Sequence, residues 1–141
     1  MSAFVFNSIT DFSDTDAAGI VHFSNYFRYV ERAEAAWFHS IGVPQFENLL
    51  GGGFRGFPKV NIRCDFRSAL KAGDRFSVRM TPFELGPSSF SYSFTIHRGS
   101  SNGDVAAEGR FTLVYAESPN GDGMRALPLP AGLVESMQKS M

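Results

Sequence analysis

The stretch Phe12-Ser13-Asp14-Thr15-Asp16-Ala17-Ala18-Gly19-Ile20-Val21-His22-Phe23-Ser24-Asn25-Tyr26 carries the most information in the chain. It sets two carboxylates, a glycine and a histidine directly ahead of a predicted helix. A helix start offers unpaired backbone N–H groups and a partial positive charge. Such donors polarise a carbonyl and hold an oxyanion. A carboxylate a few residues upstream can serve as nucleophile, or as general base toward water. Gly19 lets the chain turn sharply between the two. On the residues alone, each aspartate also reads as an ordinary loop acceptor for local amides.

Outward from this stretch, one segment has a helical period. From Ser24 to Ile41, apolar residues fall at Phe27, Val30, Ala33, Ala36, Trp37 and Ile41, in steps of three and four. Ser24 reads as the N-cap. Gly42 followed by Pro44 is a stop signal. Glu31, Arg32 and Glu34 lie mostly off the stripe, which is wide enough to predict a helix largely covered by a sheet.

Most of the remaining chain alternates. In Lys59–Arg67, Val60, Ile62, Cys64 and Phe66 face one way, while Asn61, Arg63, Asp65 and Arg67 face the other. Phe76, Val78 and Met80 alternate with polar residues, as do Phe90, Tyr92, Phe94 and Ile96, and the odd positions from Val105 to Tyr115. Period two predicts strands with one wet face and one dry face. Turn signals separate them at Ala72-Gly73-Asp74, Gly86-Pro87 and Ser101-Asn102-Gly103-Asp104. Phe4–Ile9 reads as a first strand, Ala131–Lys139 as a short terminal helix, and Gly42–Pro58 as one long loop. Short connections favour antiparallel neighbours. A long helix on one dry sheet face gives a two-layer α+β domain. Three folds answer that description: the hotdog fold, the cystatin-like cone, and the helix-grip fold.

Composition narrows the function classes. The chain has 141 residues, the size of one domain with a sizeable core. Its net charge of −1 argues against nucleic-acid binding through a basic field. No apolar run has the length of a membrane span. The segment MSAFVFNSITDF does not read as a signal peptide. The single Cys64 cannot form an internal disulfide, which fits a reduced, cytoplasmic setting. It shares a face with Val60, Ile62 and Phe66, so it reads as an inert buried thiol. His22, His39 and His97 have no metal-ligand spacing. Gly51-Gly52-Gly53-Phe54-Arg55-Gly56 lacks the Gly-Lys-Ser/Thr ending of a phosphate loop, and there is no Gly-x-Ser-x-Gly elbow.

The segment Asp14–Tyr26 resembles the signature of the 4-hydroxybenzoyl-CoA thioesterase family: Asp-x-Asp-x-x-Gly-x-Val, an aromatic or His pair, then Asn-Tyr opening the central helix. The similarity continues through Glu31-Arg32-Ala33 and Gly42-Val43-Pro44. It resumes at Gly56-Phe57-Pro58, Lys59–Phe66 and Ala72-Gly73-Asp74. The resemblance implies the hotdog fold, an antiparallel sheet wrapped around a long central helix, as a single domain over residues 1–141. It implies an acyl-CoA thioesterase with two catalytic positions. Asp16 is the catalytic carboxylate, and the backbone N–H of Phe23 lies near the substrate carbonyl. Phe23 stands where relatives often carry Tyr or His, so the backbone donor is kept and a side-chain hydrogen bond is lost. Asp14 is assigned to shaping the loop.

By the same resemblance, Gly19, His22, Tyr26, Phe57, Pro58 and Arg125 are the substrate-binding residues. Some relatives meet the CoA phosphates with basic residues at the turn between the third and fourth strands. Here that turn, Leu85-Gly86-Pro87-Ser88-Ser89, has none, and Arg125 is the substitute, ahead of Arg55, Lys59, Arg63 and Arg67. No metal or redox cofactor is implied, since CoA is part of the substrate. A homo-oligomer, dimer or tetramer, is expected, with sites at the subunit boundary and the loop around Gly56-Phe57-Pro58 lining the partner's site. The acyl group stays open, as does the choice between CoA and carrier-protein thioesters. The rival readings are a non-catalytic module binding an acyl chain or small apolar ligand in the same cleft, and a dehydratase using His22 with Asp16.

Overall fold

The computed structural model describes residues 3–140. Strand β1 (Phe4–Ile9) leads through a single 3-10 turn at Phe12–Asp14 into helix α1 (Phe23–Ile41). The connection after α1 is not one bare loop as expected. It holds β2 (Phe46–Asn48) and β3 (Phe54–Gly56), strands of three residues and too short to show an alternating pattern. Then come β4 (Lys59–Phe66), β5 (Arg75–Leu85), β6 (Ser89–Arg98) and β7 (Val105–Val114). The chain ends with β8 (Ala116–Ser118), β9 (Arg125–Ala126) and α2 (Ala131–Ser140).

The main sheet has the order β1-β5-β6-β7-β4 and is antiparallel throughout. A second, small sheet joins β2, β3, β8 and β9. Helix α1 lies on the inner face of the main sheet, giving the expected α+β layers. Its buried stripe includes Tyr26, Tyr29, Val30, Ala33 and Phe38. Tyr29 stacks on Phe76 with ring centroids 4.4 Å apart, and Trp37 tilts against Phe90 at 5.9 Å. Each fully buried side chain of this size stabilises by about 1.5–3 kcal/mol, so the stripe is the main bond between the layers.

Two details of α1 depart from the sequence reading. The N-cap is His22, not Ser24: the His22 ring nitrogen accepts from the Ser24 backbone N–H at 3.3 Å, so Ser24 already lies inside the helix. Glu34 does not sit off the stripe but is buried, 1% exposed. The stop signal holds: Gly42 takes φ +71°, and its N–H bonds the carbonyls of Phe38 and His39.

Edge strand β4 is a further departure. Ile62 lies opposite the buried Phe111 on the inner side of the sheet, but a bulge between Lys59 and Asn61 breaks the expected alternation at Val60, and Lys59 turns inward to Glu34. Yet Val60, Ile62 and Phe66 are 59%, 51% and 46% exposed, although α1 meets both ends of the strand, at Lys59 and at Phe66. Cys64 is only half-buried. Burial still pushes its thiol up to about 11. Among the described residues no helix is long and apolar enough to cross a membrane.

Candidate active site

The segment between the 3-10 turn and α1 folds back on itself. Thr15 and Val21 form a bridge, and Ile20 bridges Lys71 in the connection between β4 and β5. Asp16 sits at the corner. Its backbone N–H donates to the Ile20 carbonyl, and its carbonyl accepts from the Gly19 N–H, both at 3.0 Å. Gly19 takes φ +80°, the left-handed conformation this corner needs. One carboxylate oxygen of Asp16, Oδ1, accepts from the Ala18 N–H at 2.8 Å. The other, Oδ2, has no protein donor among the described residues and is open to a ligand.

Asp16 borders a cleft of about 380 Å³. The first turn of α1 supplies Phe23 and Tyr26, and the hairpin supplies Ile20 and Val21. The far wall is Phe66 to Ala69, where the chain leaves β4. Phe23 is the first residue of α1, so its N–H has no acceptor within the helix. Its ring meets Phe66 edge-on at 6.2 Å. The wall is held to the helix through Tyr26, whose hydroxyl accepts from the Leu70 N–H at 3.1 Å and donates to the Ser68 carbonyl at 3.4 Å. Burial raises the Tyr26 hydroxyl above its ordinary range, so it stays protonated as this donor. The Val21 N–H completes the tie to the Leu70 carbonyl at 2.8 Å. The cleft thus joins a carboxylate, a positive helix end and an apolar wall, the parts needed to hold a carbonyl and attack it.

Asp16, Phe23 and Tyr26 therefore come together as expected. Gly19 shapes the corner without lining the cleft. His22 turns to Ser24, its Nδ1 lying 2.8 Å from the Ser24 hydroxyl, and is not part of the cleft wall. Phe57, Pro58 and Arg125 lie elsewhere in the same chain. Phe57 is buried against Phe38 and Tyr115. Arg125 grips Glu117 from β9, with its Nε 2.9 Å from the carboxylate, beside Arg55 at 3.0 Å. The sequence reading does not single out Ile20, Val21, Phe66, Ser68 and Ala69 as lining residues, and it names Arg67 only as a lesser candidate for the CoA phosphates, whereas Arg67 too borders the cleft. The signal was present in the run Arg67-Ser68-Ala69-Leu70, where alternation stops before the next turn.

A second cavity of about 180 Å³ opens at the other end of α1, between Phe4, Trp37, Met80 and Met137. It contains no carboxylate, and its Tyr92 hydroxyl is engaged with Glu34. Among the described residues, no group of three or more His, Cys, Asp and Glu side chains is placed to hold a metal ion.

Comparison with known proteins agrees with the geometry. Residues 10–137 match the family described as the Thioesterase-like superfamily. A 1,4-dihydroxy-2-naphthoyl-CoA hydrolase of Prochlorococcus marinus is 31% identical, over 94% of this chain and 85% of its own length. The 4-hydroxybenzoyl-CoA thioesterase of Pseudomonas sp. is 28% identical, over 89% of this chain and 90% of its own. The crystal structure of a 1,4-dihydroxy-2-naphthoyl-CoA thioesterase from Synechocystis superposes with a TM-score of 0.80 at 21% identity, covering 97% of this chain and 96% of that one. At that identity the superposition speaks for the shared hotdog fold alone.

Proposed function

This chain belongs to the thioesterase-like superfamily and is a thioester hydrolase, and we propose that it cleaves acyl-CoA with Asp16 as the catalytic carboxylate. The observation that carries this reading is that Asp16 and the exposed start of α1 at Phe23 border one cleft. The thioester carbonyl oxygen points at the Phe23 N–H, where the helix dipole favours developing negative charge. Asp16 Oδ2 acts on the carbonyl carbon, directly as nucleophile or by taking a proton from the attacking water. The C–S bond breaks and CoA leaves as the thiolate. On the nucleophilic route water then cleaves the Asp16 anhydride; on the general-base route Asp16 returns its proton to the leaving sulfur. Both routes release the carboxylic acid and restore the Asp16 carboxylate. CoA enters only as part of the substrate, and the reading needs no cofactor. The reaction is placed in the cytoplasm, where Cys64 stays a free thiol.

The working unit is a homo-oligomer. β4 is an unpaired sheet edge with Val60, Ile62 and Phe66 exposed, and Phe66 borders the cleft. Bare apolar edges invite pairing. If two copies join antiparallel along β4, the start of one strand lies beside the end of the other. Phe57 and Pro58, which lead into β4, then lie beside the partner's cleft wall at Phe66 to Ala69. This places Phe57 and Pro58 near a site they do not reach within one chain.

The test is free-thiol release from a panel of aromatic and aliphatic acyl-CoA and carrier-linked thioesters. Release by the parent is expected to fall by roughly 100-fold or more in Asp16→Asn, with unchanged circular dichroism. An Asp16→Ala protein as fast as the parent would remove Asp16 from the mechanism. Tight acyl-CoA retention without thiol release would make this a binding module.

A further inference from the structure

Asp14 lies two residues before Asp16 but opens onto a different face of α1. Asp14 borders a polar hollow with Asn25, Arg28 and Tyr29, whereas Asp16 borders the cleft with Phe23 and Tyr26. Every polar group of Asp14 except one oxygen is bonded. Its carbonyl accepts from the His22 N–H and from the Asn25 side-chain amide, both at 2.9 Å. Its Oδ2 accepts from the Tyr29 hydroxyl at 2.7 Å and from the Asp11 N–H at 3.0 Å. Its own N–H donates to the Asp11 carbonyl at 3.0 Å.

The corner that carries Asp16 is exposed, and its internal hydrogen bonds fix its shape but not its place. On one side it is moored to Leu70 and Lys71. On the α1 side the moorings run through Asp14. Tyr29 is the firmest of these anchors: it is 2% exposed and stacked on Phe76 at 4.4 Å, so its hydroxyl position is set by the core. A reacting group displaced by about 1 Å can lose roughly 100-fold in rate.

We propose that Tyr29 is a positioning residue for the reaction, holding Asp14 so that the hairpin presents the Asp16 carboxylate at the right distance from the α1 start. The proposal rests on the reading of Asp16 as the catalytic carboxylate. Burial and the adjacent Asp14 raise the Tyr29 hydroxyl far above its ordinary range, so it remains a donor across the working pH range.

The test is Tyr29→Phe, which keeps the ring and removes the hydroxyl. With a hydrolysed acyl-CoA, kcat falls roughly tenfold or more, KM changes little, and the melting temperature stays close to the parent's. In an Asp16→Asn background the same substitution leaves the residual rate unchanged, because positioning acts only through that carboxylate. Parent-like kcat in Tyr29→Phe, or an equal loss in both backgrounds, would overturn the proposal. Parent-like activity in Asp16→Asn would instead overturn the catalytic reading, and this proposal with it. If Tyr29→Phe does not fold, Asp14 decides: Asp14→Asn keeps an oxygen that accepts from Tyr29 and retains most of kcat, while Asp14→Ala loses it. Equal losses in the two Asp14 variants count against the proposal.

Discussion

The Tyr92 hydroxyl donates to the Glu34 carboxylate across 2.6 Å, tying the middle of β6 to the middle of α1. The other carboxylate oxygen accepts from Lys59 Nζ and from the Gln45 side-chain amide, both at 2.9 Å. A buried acid with three donors from three parts of the chain is fully satisfied; removing it takes that acceptor from Tyr92 and Gln45 and leaves Lys59 with Glu31 alone. Glu34→Ala is expected to cost about 3–5 kcal/mol in urea unfolding, the usual penalty for breaking a buried ion pair, with Glu34→Gln costing less. A negligible change for Glu34→Ala would mean that water replaces the carboxylate at no penalty.

Glu117 predicts an acid dependence. Hydrogen bonds from Arg125 and Arg55 hold its carboxyl below the ordinary 4.5 of a glutamate. The folded pKa is therefore below the unfolded one. Its stabilisation is complete above about 4.5 and disappears as pH falls through the depressed folded value. The stability difference between the parent and Glu117→Gln should shrink on acidification across that window. A difference that stays constant from neutral pH to below the window would refute the coupling.

Gly19→Ala tests the corner that carries Asp16. A Cβ there meets nothing within 4 Å, so the substitution creates strain at φ +80° without a clash. The strain is about 1–2 kcal/mol. Relaxing it turns the corner, so thiol release should drop more than the melting temperature does. A variant with the parent's kcat would show that the corner tolerates the change.

The bare edge predicts assembly. Light scattering should give the parent a mass of two chains or more. Ile62→Glu should give one chain, with thiol release much reduced. Within a single chain Ile62 is exposed, so the exchange should change intrinsic stability by only about 0.5 kcal/mol. An Ile62→Glu protein that assembles like the parent would place the interface elsewhere.

Cys64 should react slowly with iodoacetamide at neutral pH and faster toward its raised pKa of about 11. Rapid alkylation near neutrality would mean that the thiol is more exposed or better stabilised as thiolate than its place on β4 allows.

The parts of the fold legible in the sequence are those governed by local period and punctuation. β1 from Phe4 to Ile9 and the Gly42 stop of α1 fall where the pattern puts them. What the sequence hid depends on partners far along the chain. Glu34 looks like a surface acid until Gln45, Lys59 and Tyr92 are brought round it. His22 displaces Ser24 as the cap because the incoming hairpin fixes its backbone through the Asp14 carbonyl, a tie that a helical pattern does not contain. The apolar residues of β4 were legible, but not that Val60, Ile62 and Phe66 would stay about half exposed within their own chain. Asp16 and Phe23 were legible as a pair because both lie on the same short approach to α1. The opposite wall was not, since Phe66 to Ala69 are set at the cleft by partners far along the chain, Tyr26, Val105, Ala106 and Arg98 among them.

Those ties leave the backbone from Ser68 to Leu70 clamped while the side chains of Phe66 and Ala69 remain free to vary. On the proposed reading, the reacting carboxylate and the wall opposite it belong to separate stretches of sequence. Point changes in a few adjacent codons would then reshape that wall and leave Asp16 in place. Duplicated copies of such a gene can diverge in diet long before they diverge in reaction.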